Sequence, residues 1–288
     1  MTVRELCALL RTPARSKAVK AMASASGGTV CGVAGSSAAV MLGMLPAEAG
    51  RPVLVVGDSL DDAGYLYHDL CRVAEGGEAA VAMFPSGYKR DIKYGQADEA
   101  ARILRTEALN RIADTSGPLR YVVSYPEALA ERVASVEELS DNTLRLRKGE
   151  SHDPQEIVGW LRSKGFAETD YVFEPGQFAL RGSILDIFAY SSELPVRIDF
   201  FGDEVDSVRT FNVETQLSET QLDDVAVTAQ SAGGRSGRLS LLDFMRTDTI
   251  VALRNESFTV ERLRAVAAEE MSGSTLMADE GDACALDN

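Results

Sequence analysis

The sequence predicts an α/β protein, a parallel-sheet domain with the outline of a nucleotide-binding fold, interrupted by a small α+β insert. Three observations lead there. Short apolar runs alternate with helical patterns over the first 140 residues. A glycine loop lies where such a run passes into a helix, and past residue 143 the pattern changes to one capped helix followed by strands and tight turns.

The runs TVCGV (29–33), PVLVV (52–56), AAVAMF (79–84) and RYVVS (120–124) are continuous rather than alternating. That is the pattern of strands buried on both faces. Between them Leu66, Leu70 and Val73 recur at helical spacing. So do Ala97, Ala101, Leu104, Ala108 and Ile112, which leaves Arg102, Arg105, Glu107 and Arg111 on other faces. Pro126 is expected to open a further helix running to about Leu139. Residues 1–142 therefore read as the first part of the parallel-sheet domain.

Residues 143–229 read as the insert. Asp153, Pro154 and Glu156 supply an N-cap, a first-turn proline and a capping-box acid. The helix they start carries Ile157, Trp160 and Leu161 and stops at Gly165. Glu174-Pro175-Gly176-Gln177 fits a type II turn. FALRGSILDIF (178–188), PVRIDFF (195–201) and EVDSVRTF (204–211) then read as antiparallel strands, the last two joined through Gly202-Asp203. Residues 230–288 are expected to return to the first domain and end in an acidic tail or linker. In that return SAGGRSGR is a polar loop and TIVAL (249–253) a buried-type strand able to rejoin the first sheet.

Composition narrows the function. With 45% hydrophobic residues the 288-residue chain can bury real cores, and a net charge of −15 argues against a free-standing DNA binder. Cys7, Cys31, Cys71 and Cys284 show no metal-ligand or disulfide spacing and read as buried thiols of a reducing compartment. His68 and His152 lie in unrelated contexts, so neither a metal site nor a histidine triad is expected. Residues 21–47 carry no charge, but their many Gly and Ser residues make a poor membrane span or signal peptide. A cytoplasmic protein is expected, without membrane contact.

GVAGSSAA (32–39) occupies the position of a phosphate-binding loop. Gly32 is its first glycine and Gly35 lies within it, but Ser37, Ala38 and Ala39 stand where the second glycine, the phosphate-binding lysine and the magnesium-ligating hydroxyl belong. Losing the last two removes the groups that manage phosphate charge. Whether this is a degenerate loop or a plain strand-to-helix turn, no nucleotide cofactor and no catalytic residue is expected. Asp58, Asp61 and Asp62 read as solvated loop acids.

In PVRIDFF, alternation puts Val196, Ile198 and Phe200 on one face and Arg197, Asp199 and Phe201 on the other. Phe201 thus falls on the polar face, where an aromatic beside arginines has the composition of an interface hot spot. The other reading of the residues is that Phe201 packs under a loop or against Trp160.

The order GVAGSSAA, PVLVVGDSLDDAGYLYHDL, FPSGYKRD, an Arg-rich helix, VVSYPEAL and RGSILDIF followed by RIDFFGDEVDSVRTF resembles the amino-terminal region of the bacterial transcription-repair coupling factors. The same modules are similar to the start of the excision-repair protein UvrB. The resemblance runs from about residue 28 to about 255, and its most specific strings are FALRGSILDIF and SELPVRIDFFGDEVDSVRTF. An intact Gly-Lys-Thr loop and an aromatic hairpin, both UvrB features, are missing here. The resemblance implies a degenerate, helicase-like domain split by an insert that recruits UvrA. In a full-length coupling factor this region would precede an RNA-polymerase-binding module and an ATP-dependent DNA translocase. It implies too that Arg181, Arg197 and Phe201 meet UvrA; as residues of an exposed sheet face, their truncation is expected to barely alter stability. The alternative function is a UvrB-type nucleic-acid-dependent ATPase.

Overall fold

The computed structural model describes residues 27–87, 99–229 and 239–266, apart from 34, 191 and 193, with Thr12, Lys17, Val19, Ala21, Ala23 and Ala268 besides. The chain divides into two compact units, Ala134–Gly233 and the remainder on either side of it.

In the flanking unit, helices α1 (Ser37–Leu42) and α2 (Leu45–Ala49) precede strand β1 (Val53–Val56). Helix α3 (Leu60–Val73), β2 (Val81–Met83), α4 (Glu99–Ala113), β3 (Tyr121–Ser124) and α5 (Pro126–Ala130) follow. The late strand Ile250–Leu253 joins them in a four-stranded parallel sheet with β1 and β3 at its centre and β2 at the far edge. Every residue of β1 and β3 is buried, which accounts for their unbroken apolar runs. Ser59 caps α3 by accepting from the Asp62 amide at 3.2 Å, and Leu66 and Leu70 face inward.

Several expectations need correction in this unit. TVCGV is an exposed irregular segment with Val33 half-buried, not a strand. Both flanks of β1 are already taken, by β3 and by the 250–253 strand, so residues 29–33 have no ladder to join beside it. TIVAL does rejoin the sheet, but as an edge strand, with Val251 and Leu253 exposed. The helix expected from Pro126 to Leu139 breaks after Ala130, and Ser135 starts a new one through a reciprocal capping box with Glu138. The two described thiols are not core groups: Cys31 is exposed and Cys71 half-buried. SAGGRSGR, the acidic tail, Cys7 and Cys284 lie outside the described residues.

Helix α4 is turned from its expected orientation, with Leu104 exposed and Arg105 buried. An arginine tolerates burial when its charge and donors are met. Arg105 pairs with Glu131 at 3.2 Å, donates to the Pro85 carbonyl at 2.7 Å and lies 4.1 Å over the Phe84 ring. Glu131 in turn accepts from the Ser86 hydroxyl and from the Gly87 amide. Helical periodicity counts apolar side chains and gives no weight to a neutralised charge.

The central unit opens with α6 (Val136–Asp141) and β4 (Thr143–Arg147), then α7 (Pro154–Ser163). Strands β5 (Ala167–Glu168), β6 (Gln177–Arg181), β7 (Ile184–Phe188), β8 (Val196–Phe201), β9 (Glu204–Phe211) and β10 (Ser218–Leu222) form one six-stranded sheet in sequence order. Strand β11 (Asp224–Thr228) returns to pair with β4 in a separate ribbon. The capped helix α6 lies within this unit, ahead of residue 143. Asp153 accepts from the Gln155 amide at 2.8 Å and Pro154 occupies the first turn of α7, as the sequence suggests. At Gly176 φ is +85° and the Gln177 amide reaches the Glu174 carbonyl, which is the turn geometry expected there.

One face of the six-stranded sheet forms the core. Phe178, Leu185, Ile187, Val196, Ile198, Phe200, Val205 and Val208 pack with Ile157, Val158 and Leu161 of α7 and with Leu146 and Val227 of the ribbon. Alternation sends the intervening residues to the opposite face.

Candidate functional site

The opposite face is assembled by register. Ala179, Asp186, Arg197 and Arg209 stand in one row across β6 to β9, and Arg181, Ile184, Asp199 and Ser207 in the next. Two like charges, Arg197 and Arg209, are therefore directly opposite, an unfavourable arrangement unless each is compensated. Arg209 pairs with Asp199, and Arg197 pairs with Asp186.

Asp186 is the centre of the arrangement and went unmarked in the sequence. It is fully buried, and both of its carboxylate oxygens are held by guanidiniums. Arg197 Nε donates to Oδ1 at 2.7 Å and Nη2 to Oδ2 at 2.9 Å, while Arg181 Nη2 donates to Oδ2 at 2.6 Å. The hydrogen bond to Asp186 raises the Arg197 pKa further, against a smaller opposing effect of burial. Two cations around one carboxylate leave one positive charge in excess, on a chain whose net charge is −15. A lone acid inside the apolar string ILDIF was the available signal, since an aspartate on a strand among apolar residues requires a partner.

The two arginines also fasten the segments bordering the sheet. Arg181 Nη1 donates to the Asp170 carbonyl at 3.0 Å, and its guanidinium lies 4.4 Å from the Tyr171 ring centre. Arg197 Nη1 donates to the Gln216 carbonyl at 3.1 Å, over the Phe211 ring at 4.4 Å. Gln216 has φ of +59°, the one non-glycine residue with positive φ among those described. Such a conformation is disfavoured for a side-chain-bearing residue and persists where its surroundings hold it. Beneath these segments Val172, Ala179, Phe188 and Phe211 make a small second apolar cluster.

The three residues singled out in the sequence occupy this face but differ in kind. Phe201 is 83% exposed and packs neither under a loop nor in the core, while its neighbour Phe200 is buried at 5%. Arg181 keeps a third of its side chain in solvent, whereas Arg197 keeps only 14%. Arg197 therefore has more to lose on truncation than a residue of an open solvent face, because most of its donors are spent inside the protein.

In the flanking unit the glycine loop is described except for residue 34. Gly32 and Gly35 take positive φ, Ala38 is half-buried and Ala39 completely buried at the start of α1. A hydroxyl at position 39 would thus sit in the interior. At the carboxyl end of β1, Asp62 is not a solvated acid: it accepts from the Asp58 amide and pairs with Arg254 at 2.8 Å. Burial, and secondly the Asp62 charge, push the Asp58 carboxyl above its ordinary pKa, while Arg254 opposes them. Among the described residues no cluster of His, Cys, Asp or Glu could hold a metal ion, and no helix is long and apolar enough to cross a membrane.

Residues 144–232 match the family described as the UvrB interaction domain. The chain is also similar to transcription-repair-coupling factors from several bacteria. That of Bacillus subtilis is 28% identical over 198 residues, 69% of this chain and 16% of the relative. One from Staphylococcus aureus is 28% identical over 203 residues, 70% of this chain and 17% of the relative. That of Escherichia coli is 37% identical over 97 residues, 34% of this chain and 8% of the relative. The chain thus spans about a sixth of the length of the first two, 16% and 17%.

Proposed function

We infer, for a chain that carries a match to the UvrB interaction domain and is related to the transcription-repair coupling factors, that its central unit recruits UvrA. In this reading residues 143–229 are a cytoplasmic docking module set into a degenerate, helicase-like domain made of 1–142 and 230–288. It links rescue of stalled RNA polymerase on DNA to excision repair, and the chain itself performs no catalysis. The observation that carries the reading is Phe201, an aromatic 83% exposed at the end of β8, on the same sheet face as the Arg181 and Arg197 guanidiniums. Large exposed rings beside arginines are where binding energy concentrates. Arg181 meets a partner carboxylate directly, Phe201 fills an apolar socket, and Arg197 positions Arg181 through their shared partner Asp186.

The experiment is a titration of the purified chain with its cognate UvrA, alongside Phe201→Ala. Truncating such a ring costs about 2 kcal/mol of binding, roughly a thirtyfold loss of affinity, with the melting temperature unchanged. Absence of wild-type binding, or equal binding by Phe201→Ala, overturns the assignment.

The second reading, a UvrB-type ATPase, needs a lysine and a hydroxyl where Ala38 and Ala39 stand. Calorimetry with magnesium-ATP is expected to show no saturable binding. A micromolar dissociation constant would restore that reading.

A further inference from the structure

We propose that the docking face continues beyond Arg181 and Phe201 onto an apolar rim formed by Tyr171, Phe173 and Leu217, and that this rim meets the apolar margin around the same partner's carboxylate. The proposal rests on the UvrA reading above and extends it. Tyr171 is 52% exposed, Phe173 58% and Leu217 68%. Single exposed apolar residues are ordinary on protein surfaces, so exposure alone decides nothing. What sets these three apart is how they are held.

They lie on two segments, 169–174 and 212–217, both fastened to the Asp186 cluster. Arg181 grips the first through the Asp170 carbonyl and Arg197 grips the second through the Gln216 carbonyl. Each segment is also braced by a nearby amide side chain. The Phe173 and Glu174 amides both donate to Gln177 Oε1, at 2.9 and 3.1 Å, and the Glu214 and Thr215 amides both donate to Asn212 Oδ1. Val172 between the two exposed rings is wholly buried in the small cluster with Phe211, against which Val213 packs. A loop so anchored presents its exposed side chains at little further entropic cost, which is what a binding surface requires.

Tyr171 joins the rim to the charged centre. Its ring lies 4.4 Å from the Arg181 guanidinium, on the cation that remains a third exposed. An aromatic wall removes water from one side of a guanidinium, and a partner carboxylate bonds it more strongly in that drier setting. The third of Arg181 left in solvent beside this ring states the complement: a carboxylate set in an apolar surface.

The test measures UvrA affinity and melting temperature for Tyr171→Ala, Tyr171→Phe, the double variant Phe173→Ala/Leu217→Ala, and Phe201→Ala as reference. Tyr171→Ala and the double variant are each expected to lose about tenfold in affinity, and Tyr171→Phe to stay within about twofold, because the ring face acts rather than the hydroxyl. Combining Tyr171→Ala with Arg181→Ala is expected to lose less than the sum of the two, since both remove one contact. If Phe201→Ala loses binding while Tyr171→Ala and the double variant bind like wild type, the rim is not part of the interface and the UvrA reading stands. Should Tyr171→Ala fail to fold, the double variant, whose side chains are more exposed than Tyr171, still decides the matter. If the wild-type chain does not bind UvrA, both readings fall.

Discussion

Phe200→Ala is expected to lower stability by about 3 to 5 kcal/mol, while Phe201→Ala one position along changes it by less than about 0.5 kcal/mol. Phe200 lies on the inner face of β8, 5% exposed among Ile198, Leu185, Val205 and Val208 and the helix residues beneath them. Removing its ring takes away apolar burial and leaves a cavity that the surrounding strands cannot close without breaking register. Phe201 has no such neighbours to lose at 83% exposure. Chemical denaturation of both variants provides the measurement. An unstable Phe201→Ala beside an unperturbed Phe200→Ala would reverse the two faces of the sheet and remove the docking face with them.

Arg197→Met is expected to cost about 3 kcal/mol, more than either Arg181→Met or any exposed substitution on this face. The fully buried carboxylate of Asp186 would keep only its single bond to Arg181, and a buried charge short of partners is the expensive outcome. The Gln216 carbonyl and side-chain oxygen would lose their donors as well, releasing a residue held at φ of +59°. Arg181→Met leaves the bidentate Arg197 pair in place and is expected to cost about 1 kcal/mol. Paired denaturation curves check the order. Equal stability of Arg197→Met and wild type would show that Asp186 is satisfied without Arg197, and Arg197 would then be free to meet a partner directly. Any loss of UvrA affinity in Arg197→Met must be read against its stability, whereas in Phe201→Ala it can be read alone.

Where the local chemistry was self-sufficient, the sequence was explicit. The α7 cap is made by Asp153 with Pro154 behind it, the turn before β6 by Gly176 at φ of +85°, and the faces of β8 by strict alternation. Each depends on neighbours within a few residues. The absence of a lysine at position 38 is equally local.

Other features were set by partners far along the chain. Arg105 was read as an outward residue of α4 because its burial depends on Glu131 and Phe84. TVCGV has the composition of a buried strand, yet β1 already has both its neighbours, one of them the strand at 250–253. Asp186 and the segments bearing Tyr171, Phe173 and Leu217 belong to the same class.

By itself, then, the sequence determined the α/β class, the two faces of β8 with Phe200 inside and Phe201 outside, and the alanines at positions 38 and 39, whereas the run 178–188, read as one strand, folds as the β6–β7 hairpin. Only the tertiary structure decided which polar groups are buried and what each one holds. The reason is physical. Caps, turns and strand alternation are governed by covalent geometry and near neighbours, whereas a charge enters the interior only when a counter-charge brought from elsewhere in the chain meets it there. Arg197 shows the difference, since alternation fixed its face but its partial burial follows from meeting Asp186 across β7 and Gln216 beyond β9.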